Sequence, residues 1–417
     1  MQQQDTTQAG ERGILVPLGL AGLRVLSQRV GADGALEVTV IGSQTRATCP
    51  RCGRVSAKQH DVRSRRKRDV ALGARRVALV LRKRRFRCLR CRRPFTEPDT
   101  ACGWRRRTTA RLREQIGQQA LGRPLSHVAT EYGVGPRFVQ DCWGEAVAGQ
   151  FAEDGRPLDE TAPLPTPRFL GLDEFARRKG QRYDTILCDL GDATDGDQAV
   201  GRRVVEIAAG RAQEPVTRLL ERLDDPDQVA AVSMDMSGSF RAAVELCLPR
   251  ALIVADHFHV VQHVGKALAQ VFSRCAATAA GRSALKGQRP LFVRASEALS
   301  EAAAAERAQL AEQFPELAAA WTAKERLRAW YATASAQDAA AGLDTWVAAV
   351  ARDGPDELRQ ALSAFRTWRS AILAFFTFLP LRLSNGFVEG KNNRTKALMR
   401  QAYGYRNRHH LRWRILT

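Results

Sequence analysis

The segment Phe169-Leu-Gly-Leu-Asp-Glu-Phe175 is an apolar run that contains two adjacent acidic residues near its end, and it decides the fold prediction. A short apolar run that follows a Pro-rich stretch is typical of a buried strand. Two further strand-like segments, Tyr183–Leu190 and Arg203–Ala209, follow after turns. The sequence therefore predicts a meander of these three segments.

Helical and strand-like patterns alternate after this meander. Pro215–Leu223 and Ser239–Cys247 have helical spacing, whereas Val229–Met234 and Ala251–Ala255 are strand-like. The order β-β-β-α-β-α-β matches a ribonuclease-H-like core, in which the first and fourth strands lie side by side. The Ala-, Leu-, Glu- and Arg-rich stretch 266–377 has helical spacing. We therefore predict a ribonuclease-H-like α/β catalytic core that is interrupted by an all-helical insertion.

Three acidic residues occur where this fold would bring them together. Asp173 is near the end of the first strand, Asp235 closes the fourth strand, and Glu389 lies on the final predicted helix. Crowded carboxylates repel one another unless a cation neutralises them, and oxygen ligands favour Mg²⁺ or Mn²⁺. The sequence therefore predicts a catalytic triad that holds two such ions and acts on phosphodiester bonds. Lys396, on the Glu389 side of the helix, is a candidate for binding the scissile phosphate.

Residues near this triad leave one alternative open. Asp256 follows the fifth strand, so it is an alternative to Asp235 as the second metal ligand, or a residue that supports the site from outside. His257 and His259 are assigned to packing or to phosphate contact rather than to zinc. The last helix is expected to approach the sheet closely through two glycines spaced four apart, Gly386 and Gly390.

Two Cys-x-x-Cys pairs, Cys49-Pro-Arg-Cys52 and Cys88-Leu-Arg-Cys91, are separated by 35 residues. Each pair can wrap around one edge of a metal ion, and two pairs complete the tetrahedron that zinc prefers. A closed site of four cysteines has no position for substrate. The sequence therefore predicts one structural Zn²⁺, held in a small ribbon by Cys49, Cys52, Cys88 and Cys91.

Basic residues are concentrated around these cysteines. The chain has a net charge of +21, and the segment Cys49–Arg113 contains 23 Lys or Arg against 4 Asp or Glu. Such clustering indicates a polyanionic partner, and the planar arginine side chain suits phosphates and guanine edges. The predicted partner is double-stranded DNA. The candidate contact residues of this segment are Arg65, Arg66, Arg84, Arg85, Arg105 and Arg106.

Residues 105–145 have helical spacing, and within them Leu125–Trp143 has the pattern of a helix-turn-helix. Gly133 provides the turn, and Val139 packs the second helix against the first. Arg137 and Gln140 would then be exposed on that second helix, and both side chains suit contacts to base edges. A packed helical hairpin without DNA contacts is the alternative.

The changes in composition along the chain predict a multidomain α+β protein. Asp154–Pro167 is rich in Pro and acidic residues without periodicity, which marks a boundary. The predicted parts are an N-terminal β-hairpin region (1–46), a zinc ribbon (47–98), a helix-turn-helix DNA-binding domain (99–153), a linker (154–167), the first part of the core (168–265), the helical insertion (266–377) and the final helix of the core (378–417).

The sequence also indicates the compartment. The apolar run Ile14–Leu23 is broken by Pro17 and is too short to span a bilayer, so no membrane segment is predicted. Nine cysteines, an odd number in a long chain, do not have the pattern of a secreted disulfide framework. A reducing cytoplasm, in association with the nucleoid, is the expected location.

The chain resembles the ISL-three family of bacterial insertion-sequence transposases, which carry an Asp–Asp–Glu catalytic domain. The matching stretches are Gly171–Gly180, Ser233–Met236, Ile253–Val260, Val388–Lys396 and the cysteine pairs. The resemblance implies that Asp173, Asp235 and Glu389 are the catalytic triad. It also implies excision and insertion of a DNA element through its terminal inverted repeats. The family has an acidic residue after the fifth strand as well, so the resemblance leaves Asp256 open.

The sequence thus predicts a DNA transposase that cleaves DNA and transfers strands. Because two DNA ends must be held together, a homodimer or a larger assembly on DNA is expected. A ribonuclease-H-like nuclease without strand transfer and a DNA-binding regulator derived from a transposase are the competing hypotheses. The nuclease would use the same acids without joining DNA, whereas the regulator would not need Asp173.

Overall fold

The structure is a computed structural model that describes residues 19–99, 101–103, 106–178, 180, 182–195, 198–379, 381–402 and 404–417. The chain forms two compact units, Met1–Gln150 and Phe151–Thr417. The first 18 residues of the predicted N-terminal region, which include half of the apolar run Ile14–Leu23, and Arg105 lie outside the described residues. Among the helices that are described, none is both long enough and apolar enough to cross a bilayer.

The first unit contains a five-stranded sheet and a small two-stranded hairpin. The strands are β1 (Leu23–Val30), β2 (Leu36–Gly42), β3 (Ala47–Thr48), β4 (Val55–Ser56), β5 (Gln59–Leu72), β6 (Arg75–Arg87) and β7 (Pro94–Thr96). The sheet order is β1-β2-β6-β5, with β7 paired to the end of β6, while β3 pairs with β4. β2 and β6 are parallel, and the other pairs are antiparallel.

Alternating apolar residues hold β2 and β6 together. Because successive side chains of a strand point to opposite faces, one face of each strand is buried. In β2 and β6 the buried side chains largely follow this alternation. The buried residues of this core are Val38, Val40, Val77, Leu79 and Leu81.

Three helices follow in the first unit, namely α1 (Ala110–Leu121), α2 (Leu125–Tyr132) and α3 (Pro136–Glu153). Thr109 caps α1 by accepting a hydrogen bond from the Leu112 amide. Gly133 ends α2 in the left-handed conformation, with a φ of 54°, and α3 begins at Pro136. The helices α2 and α3 are thus joined by a short turn that starts at Gly133.

The second unit is built on a mixed sheet. Its strands are β8 (Phe169–Arg178), β9 (Arg182–Asp189), β10 (Ala193–Asp195), β11 (Gln198–Val200), β12 (Arg203–Ala209), β13 (Ala231–Met234) and β14 (Leu252–Ala255). The main sheet has the order β12-β9-β8-β13-β14, and β10 pairs with β11 outside it. β8, β9 and β12 are antiparallel neighbours, whereas β8, β13 and β14 are parallel. The predicted succession of strands is therefore present.

Helices connect and flank this sheet. They are α4 (Gln213–Leu220), α5 (Gly238–Cys247), α6 (His257–Ala277), α7 (Gly281–Ala284), α8 (Arg289–Val293), α9 (Glu301–Gln313), α10 (Pro315–Thr333), α11 (Ala339–Asp353), α12 (Asp356–Thr367), α13 (Arg369–Ala374), α14 (Gly386–Gln401) and α15 (Arg408–Leu416). Short 3-10 turns lie at Pro226–Gln228, Ser296–Ala298 and Phe375–Phe378. The stretch 266–377 is helical where it is described, but its first helix already begins at His257.

Two features of the second unit differ from the sequence-based expectations. The segment 384–415 forms two helices, α14 and α15, because the chain leaves the helix after Gln401 and starts again at Arg408. The segment Asp154–Pro167, which was expected to be a linker, is part of the second unit. Its Leu164 is only 1% exposed, and Arg156 donates hydrogen bonds to two backbone carbonyls of that unit.

Candidate functional site

Three aspartates lie at the same edge of the main sheet in the second unit. In the register of the parallel strands, Ser233 of β13 is opposite Gly171 of β8, and Met234 is opposite Ala255 of β14. Continuing this register along the chain aligns Asp235 with Asp173, within β8, and with Asp256, directly after β14. The Asp256 amide donates to the Met234 carbonyl at 2.8 Å, so the alignment persists to the strand end.

Helix α14 packs directly on this edge. A methyl group added at Gly171 would lie 2.6 Å from Cγ2 of Val388, so this glycine permits the close approach of the helix. The expectation that Gly386 and Gly390 serve this purpose is wrong, because only the Ser384 hydroxyl, at 3.6 Å, is near the first and nothing lies within 4 Å of the second. The small residue that matters is on the strand.

Two asparagines of this helix segment bind the first strand and its acid. The Asn385 side chain donates to the Leu172 carbonyl at 2.7 Å, and Asn392 donates to Oδ2 of Asp173 at 2.8 Å. The Glu174 amide donates to the other Asp173 oxygen at 2.7 Å. The carboxylate of Asp173 is therefore held in one orientation by two donors.

Glu389 also lies at this acidic edge, which is formed by Asp173, Asp235 and Asp256. Nε2 of His259 lies 3.4 Å from Oε1 of Glu389 and 3.7 Å from Oδ2 of Asp256. Among the described residues, two groups of side chains have all their ligand atoms within 4.8 Å of one another: the four cysteines, and Asp256 with His259 and Glu389. The predicted trio of Asp173, Asp235 and Glu389 is not one of these groups.

Burial and mutual repulsion disfavour the charged forms of these acids. Burial raises the pKa of Asp173 to about 6, and the charges of Asp235 and Glu389 act in the same direction. Burial also raises the pKa of Asp235, and the charge of Asp256 acts in the same direction. The pKa of Glu389 is raised by burial and by the nearby Asp256 charge. This edge of the sheet is thus an electrostatic environment that a cation would stabilise.

Several buried oxygens at this edge accept no hydrogen bond from the residues that the structure describes. They are Oδ1 of Asp235, Oδ2 of Asp256, and the side-chain oxygens of Asn385 and Asn392. Buried polar atoms normally have a partner, and oxygen atoms without one are suitable ligands for a hard divalent cation. The residues therefore fit a Mg²⁺ or Mn²⁺ site by charge and by donor type.

The four cysteines of the first unit lie at two turns with the same hydrogen bond. The amides of Cys49 and Cys88 each bond to the carbonyl of the residue five positions later, at 2.9 and 3.0 Å. The sulfur atoms of Cys52 and Cys88 are 3.6 Å apart. Backbone amides, first that of Cys91, lower the pKa of the Cys88 thiol to about 7, which favours the metal-binding thiolate. This donor set is that of a structural zinc site.

A basic cavity of about 650 Å³ lies on the first unit, between β5, β6 and the segment before α1. Within the described part of the chain, Arg63, Arg65 and Arg107 are exposed there and have no ion pair. Asp99 lies 3.6 Å from both Lys67 and Lys83, so it neutralises the two lysines but not these arginines. The cavity therefore presents uncompensated positive charge to solvent.

The other predicted arginines of this unit are less available. Arg84 is buried, and its guanidinium bonds to Glu97 at 3.0 Å and to a backbone carbonyl at 2.8 Å. Its position explains a role in folding the ribbon and does not support the assignment to DNA contact. Arg66, Arg85 and Arg106 each bond to one acidic side chain within 3.2 Å.

Helix α3 carries both predicted contact residues, but only one of them is well exposed. The Arg137 side chain is 89% exposed and lies 4.0 Å from Asp141. Gln140 is only partly exposed. Val139 is fully buried, as expected for the residue that packs this helix on its neighbour.

Comparison with known proteins identifies the family of the chain. A family model described as "Transposase" matches residues 170–415, which include Asp173, Asp235, Asp256 and Glu389. The chain belongs to the ISL-three family of transposases. A second model, described as "zinc-finger of transposase IS204/IS1001/IS1096/IS1165", matches residues 45–91 and so includes the four cysteines. The zinc ribbon predicted from the sequence is thereby confirmed as a domain of this transposase.

Two similar proteins are also named as transposases. The transposase for insertion sequence element IS1001 of Bordetella parapertussis is 27% identical over 86% of this chain and 85% of its own length. The transposase for insertion sequence element IS1557 of Mycobacterium tuberculosis is 26% identical over 63% of this chain and 62% of its own length. Both similarities extend beyond a single motif.

Sequence reasoning missed three residues of the acidic edge in this transposase. His259 was assigned to packing or phosphate contact, yet its ring nitrogen faces two carboxylates. Its neighbour His257 does pack, between the rings of Tyr331 and Phe375. Asn385 and Asn392 were also missed. Their spacing is a signal that was available, because the buried residues of this helix segment recur at intervals of three and four: Asn385, Val388, Asn392 and Thr395.

Proposed function

We propose that this transposase cleaves DNA at the ends of an insertion sequence and joins the freed ends to target DNA. In this proposal Asp173, Asp235 and Glu389 are the catalytic acids. The observation that supports it most directly is the acidic edge itself, where strand register aligns Asp173 with Asp235 and α14 brings Glu389 towards the same place. The order of the main sheet, which inserts the first strand between the second and the fourth, supports a ribonuclease-H-like core.

The acids would hold divalent cations, Mg²⁺ or Mn²⁺, two per active site. Their raised pKa values and the buried oxygens without donors favour such a charge at this edge. When bound, the ions would activate the attacking water or 3′-hydroxyl and stabilise the leaving oxygen. The zinc of the ribbon has a different role, because four cysteine ligands close its coordination and leave only a structural contribution.

The protein's own residues would orient the acids and the DNA. Asn392 and the Glu174 amide hold the Asp173 carboxylate, so that its oxygens do not have to reorganise during the reaction. Lys396 is exposed, two turns along α14 from Glu389, and its charge offsets part of the rise that burial causes in the pKa of that carboxyl. A cation at this position would attract the scissile phosphate.

The first unit would recognise the element's terminal inverted repeats. Arg137 on α3 is suited to base edges, and the arginines of the basic cavity are suited to phosphates. Arg65, Arg66, Arg85 and Arg106 remain proposed phosphate contacts, since each is at least partly exposed. Holding two ends for joining would require a homodimer or a larger assembly on DNA.

A cleavage and joining assay tests the proposal. The full-length protein is incubated with Mg²⁺, a duplex that carries the element's terminal repeats and a target plasmid. Wild type should nick the duplex and yield a joined product, whereas Asp173→Asn, Asp235→Asn and Glu389→Gln should lose both activities by at least about a thousandfold. Asp227→Asn is the matched control, because Asp227 is exposed and lies outside this edge.

The same assay separates the competing functions. Cleavage without joined product, even when a free 3′-end is supplied, would identify a nuclease. Sequence-specific binding without any cleavage, unchanged by Asp173→Asn, would identify a regulator. Loss of cleavage in Asp256→Asn together with retained cleavage in Asp235→Asn would assign the second acid to Asp256.

A further inference from the structure

We infer that Asp256, His259 and Glu389 form a divalent-cation position with one nitrogen ligand, which selects Mn²⁺ over Mg²⁺ at this edge of the active site. The inference deepens the proposed function, since Glu389 belongs to both sites. It assigns a metal-binding role to His259, which lies in the first turn of α6, three residues after Asp256.

The geometry of the three side chains carries the first step. The distances from Nε2 of His259 are 3.7 Å to Asp256 and 3.4 Å to Glu389, and all three ligand atoms lie within 4.8 Å of one another. Ligand atoms around a common ion are separated by similar distances, since metal–ligand bonds are roughly 2.0–2.3 Å long. Only a small contraction would therefore be needed to bind one ion.

The two oxygens of Asp256 have different environments, and this difference points to a ligand. Its side chain is 1% exposed. Oδ1 accepts a hydrogen bond from the backbone amide of Asn385 at 3.2 Å. Oδ2, the oxygen facing His259, accepts none from the described residues. Nε2 of His259 likewise has no hydrogen-bond partner in the part of the chain that the structure describes. A buried carboxylate oxygen and an imidazole nitrogen that face each other without a hydrogen bond have the arrangement of two ligands of one cation.

An open path leads to this position. A cavity of about 240 Å³ is lined by His259, Asp235 and Lys266, and it is open to solvent. An ion can therefore reach His259 from the same side as the proposed catalytic acid Asp235, and the Glu389 side chain is itself 36% exposed. The nearby polar groups His263 and Gln262 also line the cavity, but neither belongs to the group of close ligand atoms.

The donor types determine the metal. Mg²⁺ takes oxygen ligands almost exclusively and keeps several waters, whereas imidazole is a good ligand for later divalent metals. One imidazole with two carboxylates accommodates Mn²⁺, which accepts both oxygen and nitrogen. Asp173 and Asp235 offer only oxygen, so the two sides of the active site would differ in metal preference.

Electron paramagnetic resonance on the full-length, zinc-loaded protein tests the inference with Mn²⁺ as the probe. Bound Mn²⁺ should show the electron-spin-echo modulation of a directly coordinated ¹⁴N nucleus. His259→Gln should abolish this modulation and weaken Mn²⁺ binding at least about tenfold. His263→Gln is the matched control, because it lies one turn further along α6 and its ring contacts the Ala361 carbonyl. It should keep both the modulation and the affinity.

The outcomes separate this inference from the proposed function. Mn²⁺ that binds to wild type without ¹⁴N modulation would overturn the inference, and this measurement requires no variant to fold. Mn²⁺ affinity that is unchanged in His259→Gln would overturn it too. In both cases, cleavage that still depends on Asp173 would leave the proposed function standing. Loss of the ¹⁴N modulation and an at least about tenfold weaker Mn²⁺ affinity in His259→Gln, with both retained in His263→Gln, is the result that we expect.

Discussion

Burial raises the pKa of Asp173 to about 6, so the charged form of this acid destabilises the folded protein at neutral pH. An unfolded aspartate titrates near about 3.9, and between these values the folded state binds more protons than the unfolded state. The contribution of Asp173 to the free energy of unfolding is therefore most favourable below pH 4. It falls as the pH rises towards 6, and the loss is complete above that value.

Asp173→Asn should consequently stabilise the protein while it abolishes cleavage. Without added divalent cations at pH 7.5, we expect the free energy of unfolding to rise by about 1–3 kcal/mol, measured by urea unfolding. Asn392 has an unpaired amide oxygen, so it can rotate and accept from the new amide. The difference should shrink as the pH approaches 5. A variant less stable than wild type at pH 7.5 would contradict this account.

Arg92 is a strained residue in the second cysteine turn. Its φ is 55°, a left-handed conformation that disfavours residues with a side chain, and the corresponding position of the first turn is Gly53, with a φ of 71°. Arg92→Gly should stabilise the zinc-loaded ribbon by about 0.5–1 kcal/mol. Zinc affinity, measured by competition with a chelator, should tighten a few-fold. Arg93→Gly is the control and should not tighten binding, because Arg93 does not have a positive φ.

At the scale of elements, regular hydrophobic spacing decided what could be predicted. The strand β12 follows this spacing, and its bounds in the structure are those that the sequence predicts. The 14-residue strand β5 was missed. It is an edge strand rich in Arg and Lys, and only a few of its side chains are buried, so apolar alternation is nearly absent from it.

The candidate site was predictable only in part for a similar reason. The position of Asp235 follows from where an apolar run stops, and this is local information. The expectation that Asp173 lies near the end of its strand is wrong, because β8 continues to Arg178. The contact between α14 and β8, in contrast, depends on residues more than two hundred positions apart, such as Asn392 and Asp173. No spacing within one helix specifies which strand it will meet. The proximity of His259 to Glu389 depends on the same packing and was missed for that reason.

The packing of α14 on β8 can be tested at Gly171. A Cβ atom there would lie 2.6 Å from Val388 and 2.9 Å from Leu190, so Gly171→Ala should push the helix outward and displace Glu389. A displacement of about 1 Å in a catalytic group can reduce the rate about a hundredfold. We expect cleavage to fall by about ten- to a hundredfold and the free energy of unfolding by about 1–3 kcal/mol.

Two further variants make this prediction specific. Gly390→Ala lies on the same helix with no atom within 4 Å of the added methyl group, so it should keep full activity and gain about 0.5–1 kcal/mol of stability. Gly171→Ala combined with Val388→Ala removes the closest contact and should restore most of the cleavage. If the single variant Gly171→Ala cleaves like wild type, α14 does not depend on this contact for its position.

At the scale of the whole molecule, charge is distributed very unevenly. The segment Cys49–Arg113 holds 23 basic and 4 acidic residues, whereas the rest of the chain holds 42 basic and 40 acidic residues. A nearly balanced remainder, which carries the acidic edge, would attract DNA only weakly. Non-specific attraction to DNA should therefore come mainly from the first unit, while the second unit would supply the chemistry.

The salt dependence of DNA binding tests this division. Each phosphate neutralised by a basic side chain adds about 0.9 to the slope of log affinity against log salt concentration. Arg65→Gln together with Arg107→Gln should therefore reduce the slope by about 2 and weaken binding to all sequences alike. Fluorescence anisotropy with a duplex that carries the terminal repeats, over roughly 50–300 mM salt, measures it. Arg352→Gln with Arg359→Gln removes the same charge from the helical stretch of the second unit, where both arginines pair with acids. An equal loss of slope in this control would mean that DNA responds to net charge alone and not to the basic cavity.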